Sequence, residues 1–424
     1  MVSSFIWLMH LLNEDCAVWT LLAALLEKTT QPLKLVYLLN KRKYEQNDFL
    51  IYSLGGHSYF GAEKTPLTFL LIFSLIDYWD LSLPAVFLAE ILTVVLLASV
   101  YYCFDKPELV RQKGAVTQYA SDASELVLKA ASLNEGVLYV AAAYLFCPYT
   151  VASCVAKTTT VFANMILAAA FVAMLNGYSM VFGCLIGLAT YQSFYPVCLL
   201  VPGVLHFIQQ LSGKVLVRPI GAFLGSFILL LLISAEIAGS WEFIEATYGF
   251  ILAAPDLTPN IGLFWYFFTE MFEHFRLFFL ATFQINAFVY VLPLSIRLRD
   301  DPMLLGTALL AFTAIFRSYP SLGDVGLYLA LLPCWKHLYP FMRQTFIVGC
   351  MFVATSVLGP IMYNLWIFNG SANANFYFAV TLAFNTAQIF LVTDLLFAHV
   401  KREYHLFAGT KMELDGCAAR LTLE

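Results

Sequence analysis

Residues 221–234 read GAFLGSFILLLLIS without a charge, and residues 85–104 contain a single one, Glu90. A membrane crossing needs roughly 20 mostly apolar residues, and runs of this kind recur along the chain. A soluble protein would have to hide them beneath a polar shell. This chain lacks the material for one: 12% of its 424 residues are charged and 61% are hydrophobic, about half the charged share of a soluble domain. Lipid is therefore the main solvent. Backbone groups in lipid must be satisfied within a helix or a closed barrel, and the runs lack the alternation of barrel strands. Helices remain. Counting apolar runs predicts an all-α integral membrane protein with about 10–12 transmembrane helices.

No tandem repeat or low-complexity linker divides the sequence, so residues 1–424 read as one polytopic membrane domain. Residues 1–26 are expected as a first span. They are interrupted by Asn13, Glu14 and Asp15, and they lack the basic leader and cleavage site of a signal peptide. Residues 27–82 form a loop, 83–400 the helical bundle and 401–424 a tail. Short loops rich in Lys and Arg stay in the cytosol. Four clusters mark that side: Lys106/Arg111/Lys113, Lys214/Arg218, Arg297/Arg299 and Lys401/Arg402. The opposite, luminal side then receives residues 27–82, 148–158, 239–273, 317–323 and 362–375. Lys41, Arg42 and Lys43 run against this scheme, but long loops translocate with little regard to charge.

A net charge of −5 without a basic stripe excludes a nucleic-acid surface. The nine cysteines form no CxxC pair and mostly lie in apolar runs, where a thiol behaves as a small hydrophobe. The unusual residues gather on the luminal side. Residues 255–284, PDLTPNIGLFWYFFTEMFEHFRLFFLATFQ, fit an aromatic helix lying along the interface and turning inward near His274. On a continuous helix Glu270, Glu273 and His274 share one face. They could bind an amine or a metal, although the second histidine of an HExxH site is missing; pairing with Arg276 is the simpler use. Residues 370–375, GSANAN, form a polar stop. The amides of Asn373 and Asn375 suit glycan hydroxyls and phosphates. Alternatively, Asn375 caps the last helix. Residues 64–78 make a second interfacial helix ending at Asp77 and Tyr78.

The runs Cys147-Pro148-Tyr149-Thr150, Cys154-Val155-Ala156-Lys157 and Ala189-Thr190-Tyr191-Gln192-Ser193-Phe194-Tyr195-Pro196, with residues 255–286 and 370–376, resemble the PIG-U family in order and spacing. This family is the multi-spanning subunit of the endoplasmic-reticulum GPI transamidase. The similarity runs from about Thr65 onward. Glu63-Lys64 stand where the family has a His-Glu pair ahead of Thr65-Pro66-Leu67.

The resemblance implies a bundle like that of the GT-C glycosyltransferases. It also implies a non-catalytic role: holding or presenting the GPI lipid and scaffolding the other subunits, including the cysteine-protease-like catalytic one, in the endoplasmic-reticulum membrane. The partners it implies are those subunits, the GPI glycolipid and membrane lipids, with no cofactor and no metal. The residues expected at the lipid are Asn373, Asn375, Asp77, Tyr78, Phe264, Trp265, Phe268, Glu270, Glu273 and His274. The alternative is a dolichol-sugar-dependent mannosyltransferase of the GT-C class. It would need an acidic base or metal ligand in the first luminal loop. That loop offers only the isolated Asp48, Asp77 and Asp80; the adjacent pair Asp300-Asp301 lies beside Arg297 and Arg299 on the cytosolic side. A cysteine nucleophile at Cys147 or Cys154 would need His274 as its base, and nothing in the spacing supports that pair.

Overall fold

The computed structural model describes residues 82–128, 132–211 and 217–409, with the strand pieces Glu413–Leu414 and Cys417–Ala418 paired antiparallel. The expected first span, the first luminal loop with its interfacial helix, Asp77 and Tyr78 lie outside the described residues. The rest of the architecture is helical: α1 (Ser82–Gly114), α2 (Ser132–Leu145), α3 (Pro148–Val155), α4 (Thr160–Leu175), α5 (Ser179–Gln192), α6 (Leu200–Leu211), α7 (Val217–Ala238), α8 (Phe264–Glu270), α9 (Arg276–Asn286), α10 (Pro302–Phe316), α11 (Leu322–Leu331), α12 (Thr345–Ile367) and α13 (Ala374–Ala408). Five helical segments among the described residues are long and apolar enough to cross a membrane. A further crossing forms if α2 and α3, bent by 48° at the Cys147-Pro148 break, count as one span; α4, α5 and α10 are shorter apolar helices. The protein is an all-α integral membrane protein.

The centre of the bundle is α10, of which all residues but Thr313 and Phe316 are buried. A helix apolar on every side has to be surrounded by other helices or by lipid. Here α4, α5, α6, α11 and α13 join the same core. Lipid supplies no hydrophobic drive between helices, so close backbone approach at small residues becomes the main source of packing energy. The seam between α5 and α7 works this way. A Cβ placed on Gly183 would lie 2.3 Å from the Pro219 carbonyl oxygen, and one on Gly187 would lie 2.1 Å from Ser226 Oγ.

The basic segments converge at one end. Arg111 Nη2 meets Asp301 Oδ1 at 2.8 Å and Arg111 Nη1 donates to the Asp300 carbonyl at 3.0 Å. Arg297 pairs with Glu403 at 2.7 Å, and Arg402 donates to Gln112 Oε1 at 3.1 Å and to the Leu126 carbonyl at 2.8 Å. The clusters around residues 106–113, 297–299 and 401–402 thus meet at one end of the bundle, while Lys214 of the fourth cluster lies outside the described residues. At the other end Thr160 donates to Ser321 Oγ and Arg317 to Ser193 Oγ, each at 3.0 Å, and Tyr195 and residues 250–262 and 317–324 meet there through the contacts described next.

Candidate functional site

At the far end a loop carries the aromatic segment. Ala254 ends the short helix Phe250–Ala253 in the left-handed conformation (φ 43°). Asp256 Oδ1 then accepts from the Thr258 amide at 3.0 Å, and Asn260 Oδ1 from the Gly262 amide at 2.7 Å. These Asx turns replace the backbone bonds that a Pro-rich loop cannot make. Gly262 lies against Pro320, where a Cβ would come within 2.7 Å of the ring.

Residues 317–321 fasten this loop. Ser318 Oγ donates to the Ile251 carbonyl at 2.7 Å, the Tyr319 hydroxyl accepts from the Asp256 amide at 3.2 Å, and the Tyr319 ring stacks on Phe250. Behind them, Arg317 Nη1 meets Asp324 Oδ2 at 2.6 Å, with the two side chains 15% and 14% exposed. Asp324 also accepts from the Ser321 amide at 3.1 Å and completes the capping box of α11. Gln284 Nε2 donates to Ser318 Oγ, and its Oε1 accepts from Tyr195, whose hydroxyl also accepts from the Ser318 amide at 3.0 Å. Burial pushes the Tyr195 phenol above its ordinary range, so it stays a neutral member of this network. Asn385 Nδ2 on α13 holds the Ile261 carbonyl at 2.8 Å.

The loop delivers α8, and α8 is largely covered. Phe264, Trp265 and Phe268 are 3%, 2% and 3% exposed. They therefore do not line an open cleft, as their aromatic character suggests from sequence. Phe264 and Phe268 pack on Phe283 of α9. Trp265 packs on Trp366, Tyr377 and Phe378 of α12 and α13, and its indole N–H is buried without a partner. The exposed side of α8 begins at Tyr266, whose ring stacks on Phe378 at 4.2 Å and whose hydroxyl donates to Asn375 Oδ1. Beside that contact opens a cleft of about 350 Å³. Tyr266, Phe267, Phe272, Phe275, Phe279 and Phe378 form its walls, with Met271 and one carboxylate, Glu270.

The shared face of Glu270, Glu273 and His274 does not exist. The helix stops at Glu270, Met271 and Phe272 are extended, and a single 3₁₀ turn, Glu273–Phe275, precedes α9. Glu273 is 86% exposed and 3.9 Å from Arg276 Nη1. That ion pair is the expected pairing with Arg276, whose Nη2 also donates to the Ala254 carbonyl at 2.9 Å. His274 is exposed and meets the ring of Phe275. Among the described residues no three His, Cys, Asp or Glu side chains gather as metal ligands. The cap of the last helix is likewise corrected. Asn373, not Asn375, is the N-cap of α13, with its Oδ1 accepting from the Phe376 amide at 3.3 Å. Both asparagines are exposed.

Together these elements describe a polytopic helical membrane protein. Its polar groups cluster at the two ends of the bundle, one basic and the other aromatic and amide-rich. The sequence matches the model of the family described as GPI transamidase subunit PIG-U over residues 20–384. It is 40% identical over 417 residues to the GPI-anchor transamidase component PIGU of Homo sapiens, with 95% of each chain covered. It is 33% identical over 264 residues to the GPI transamidase component GAB1 of Saccharomyces cerevisiae, covering 62% of this chain and 66% of that one. The chain belongs to the PIG-U family of GPI transamidase subunits. The match begins at residue 20, so the similarity reaches well ahead of Thr65, further than the motifs quoted above. The mannosyltransferase alternative is not favoured.

Proposed function

We propose that the protein is a non-catalytic subunit of the GPI transamidase complex. In this reading it holds the GPI glycolipid at the luminal face of the endoplasmic-reticulum membrane and presents it to the cysteine-protease-like catalytic subunit. The single polytopic domain has its basic end in the cytosol and its aromatic end in the lumen. One observation carries the site assignment. The side-chain oxygens of Asn373 and Asn375 are both engaged, by the Phe376 amide and the Tyr266 hydroxyl, which leaves each exposed carboxamide with its NH₂ group to offer. Two such donors beside an aromatic cleft suit the acceptor oxygens of a phosphate or a glycan.

The acyl chains lie along the apolar flanks below, with roughly 0.8 kcal/mol of burial per methylene. Glu270, on the cleft wall, and the exposed Glu273 and His274 face the more distant part of the headgroup. Phe264, Trp265 and Phe268 act from behind, by fixing α8 in position. Asp77 and Tyr78 belong to the same proposal from outside the described residues. Holding the lipid in register lowers the entropic part of the barrier for attack by a neighbouring active site.

The test is Asn375→Leu and Asn373→Asp, the latter keeping an N-cap acceptor while removing the NH₂ donor, in cells lacking the native subunit. Surface display of a GPI-anchored reporter falls several-fold while the other subunits still co-purify. Undiminished display with both variants would falsify the site.

A further inference from the structure

Glu90 lies inside the bundle, 8% exposed, about 12 Å along α1 from its first residue at 1.5 Å per residue. Neither of its carboxyl oxygens has a hydrogen-bond partner. The same holds for two other deeply buried atoms, the Tyr144 hydroxyl on α2 and Asn164 Oδ1 on α4, whose residues are 1% and 2% exposed. They belong to one packet, because the Tyr144 hydroxyl faces Glu90, Thr93 and Asn164 without reaching hydrogen-bond geometry with any of them. Asn164 commits its Nδ2 to the Gly323 carbonyl at 2.9 Å, which leaves Oδ1 as an acceptor. Thr93 lies one turn after Glu90 and donates to the Ala89 carbonyl at 2.7 Å, so its oxygen keeps free lone pairs. Among the described residues no Lys, Arg or His pairs with Glu90. The titratable groups facing it are Tyr144 on α2 and Cys154 on α3.

The count of groups is lopsided. Three unpaired acceptors, the two Glu90 oxygens and Asn164 Oδ1, face one unpaired donor, the Tyr144 hydroxyl. A bare carboxylate in such a place is strongly disfavoured, and ionisable groups at membrane depth mark sites by default. One positive charge would neutralise the set. A proton on Glu90 turns one acceptor into a donor and balances the set. An alkali ion finds up to five hard oxygens from four side chains, with a single negative charge to match its own; a divalent ion would leave net charge in lipid.

We propose that Glu90, Thr93, Tyr144 and Asn164 form an intramembrane site that binds one monovalent cation, an alkali-metal ion or a proton. Occupancy ties α1 to α2 and α4. Through the Asn164–Gly323 bond it also reaches α11, whose start anchors the loop beneath the aromatic cleft.

The experiment uses the intact complex in detergent. Thermal unfolding is followed as NaCl or KCl replaces choline chloride at constant ionic strength, and separately across the neutral pH range in choline chloride. If the ligand is an alkali ion, the unfolding midpoint rises with its concentration. If it is a proton, the midpoint rises as pH falls and ignores the salt exchange. Glu90→Gln, neutral and nearly the same shape, abolishes the salt response or, for a proton, the part of the pH response that stabilises on acidification. Tyr144→Phe shifts the midpoint several-fold, toward higher concentration for an alkali ion and toward higher pH for a proton. A wild-type complex that responds to neither cation overturns the site, as does an unchanged response in Glu90→Gln. Should Glu90→Gln fail to assemble, the wild type and Tyr144→Phe decide: a response that Tyr144→Phe leaves unmoved overturns it.

Discussion

Replacing Asp324 with Asn should be among the most damaging single changes at the aromatic end of the bundle. Arg317 and Asp324 are 2.6 Å apart and about 15% exposed, so neither charge is well hydrated. Arg317 has one other side-chain acceptor, Ser193 Oγ at 3.0 Å, and its Nε has none. Asn keeps the side-chain oxygen that accepts from the Ser321 amide, so the cap survives and only the charge is lost. Removing one partner of a buried pair leaves the other uncompensated and costs about 3–5 kcal/mol. Asp324→Ala removes the cap as well and adds about 1 kcal/mol. The discriminating variant is Arg317→Met combined with Asp324→Asn. With no orphaned charge it should recover most of the loss, to within about 1–2 kcal/mol of the wild type. Thermal unfolding of the solubilised complex, with limited proteolysis of residues 250–262, reads both effects. If Asp324→Asn is as stable as the wild type, or the double variant no better than the single one, the pair does not carry the anchoring given to it here.

Two further changes separate packing from chemistry. A Cβ on Gly183 meets the Pro219 oxygen at 2.3 Å and the Ala222 methyl at 2.9 Å, whereas Gly221 has nothing within 4 Å. Gly183→Ala should therefore cost about 1–3 kcal/mol in unfolding midpoints, and Gly221→Ala should be neutral or slightly stabilising. On the basic side, burial, aided by the charges of Arg402 and His399, holds His337 down at about 3. The unfolded chain takes up a proton near pH 6.5 that the folded one refuses. Stability is thus full above that pH and falls on acidification toward 5, by at most about 1.4 kcal/mol per pH unit. His337→Gln should remove that part of the slope, as unfolding midpoints at successive pH values will register.

The membrane character and the gathering of the basic segments around residues 106–113, 297–299 and 401–402 at one end were legible in the sequence because both follow from charge, which the chain cannot hide. The interior of the aromatic segment was not. Residues 264–276 contain no Gly or Pro, and their spacing continues a helix. The break at Met271 and Phe272 is imposed by tertiary packing, since α8 and α9 bury different faces in the cluster around Phe264, Phe268 and Phe283. Aromatic density likewise marks an interface and a core equally well. Whether Trp265 faces outward depends on α12 and α13, elements about a hundred residues away. The choice between Asn373 and Asn375 as the cap turned on where a helix starts, a matter of two residues that type alone does not decide. Arg317 and Asp324 stand seven positions apart across a helix start, a separation that signals pairing only once the turn at Ser321 is known.

The two walls of the cleft are held very differently. Tyr266 and Phe267 sit on a helix locked to the core, while Phe272, Phe275 and Phe279 come after the break. That second wall is tied back by Phe279 and Phe283, which pack on Phe264, Phe267 and Phe268, and by the hydrogen bonds of Arg276 to the Ala254 carbonyl and of Gln284 to the Ile251 and Leu252 carbonyls. Phe272 and Phe275, by contrast, are exposed at the rim, so their rings can turn without disturbing the packed cluster behind them. Under the proposed function, natural sequence changes at positions 272 and 275 would tune the fit of the lipid with the bundle itself unaltered.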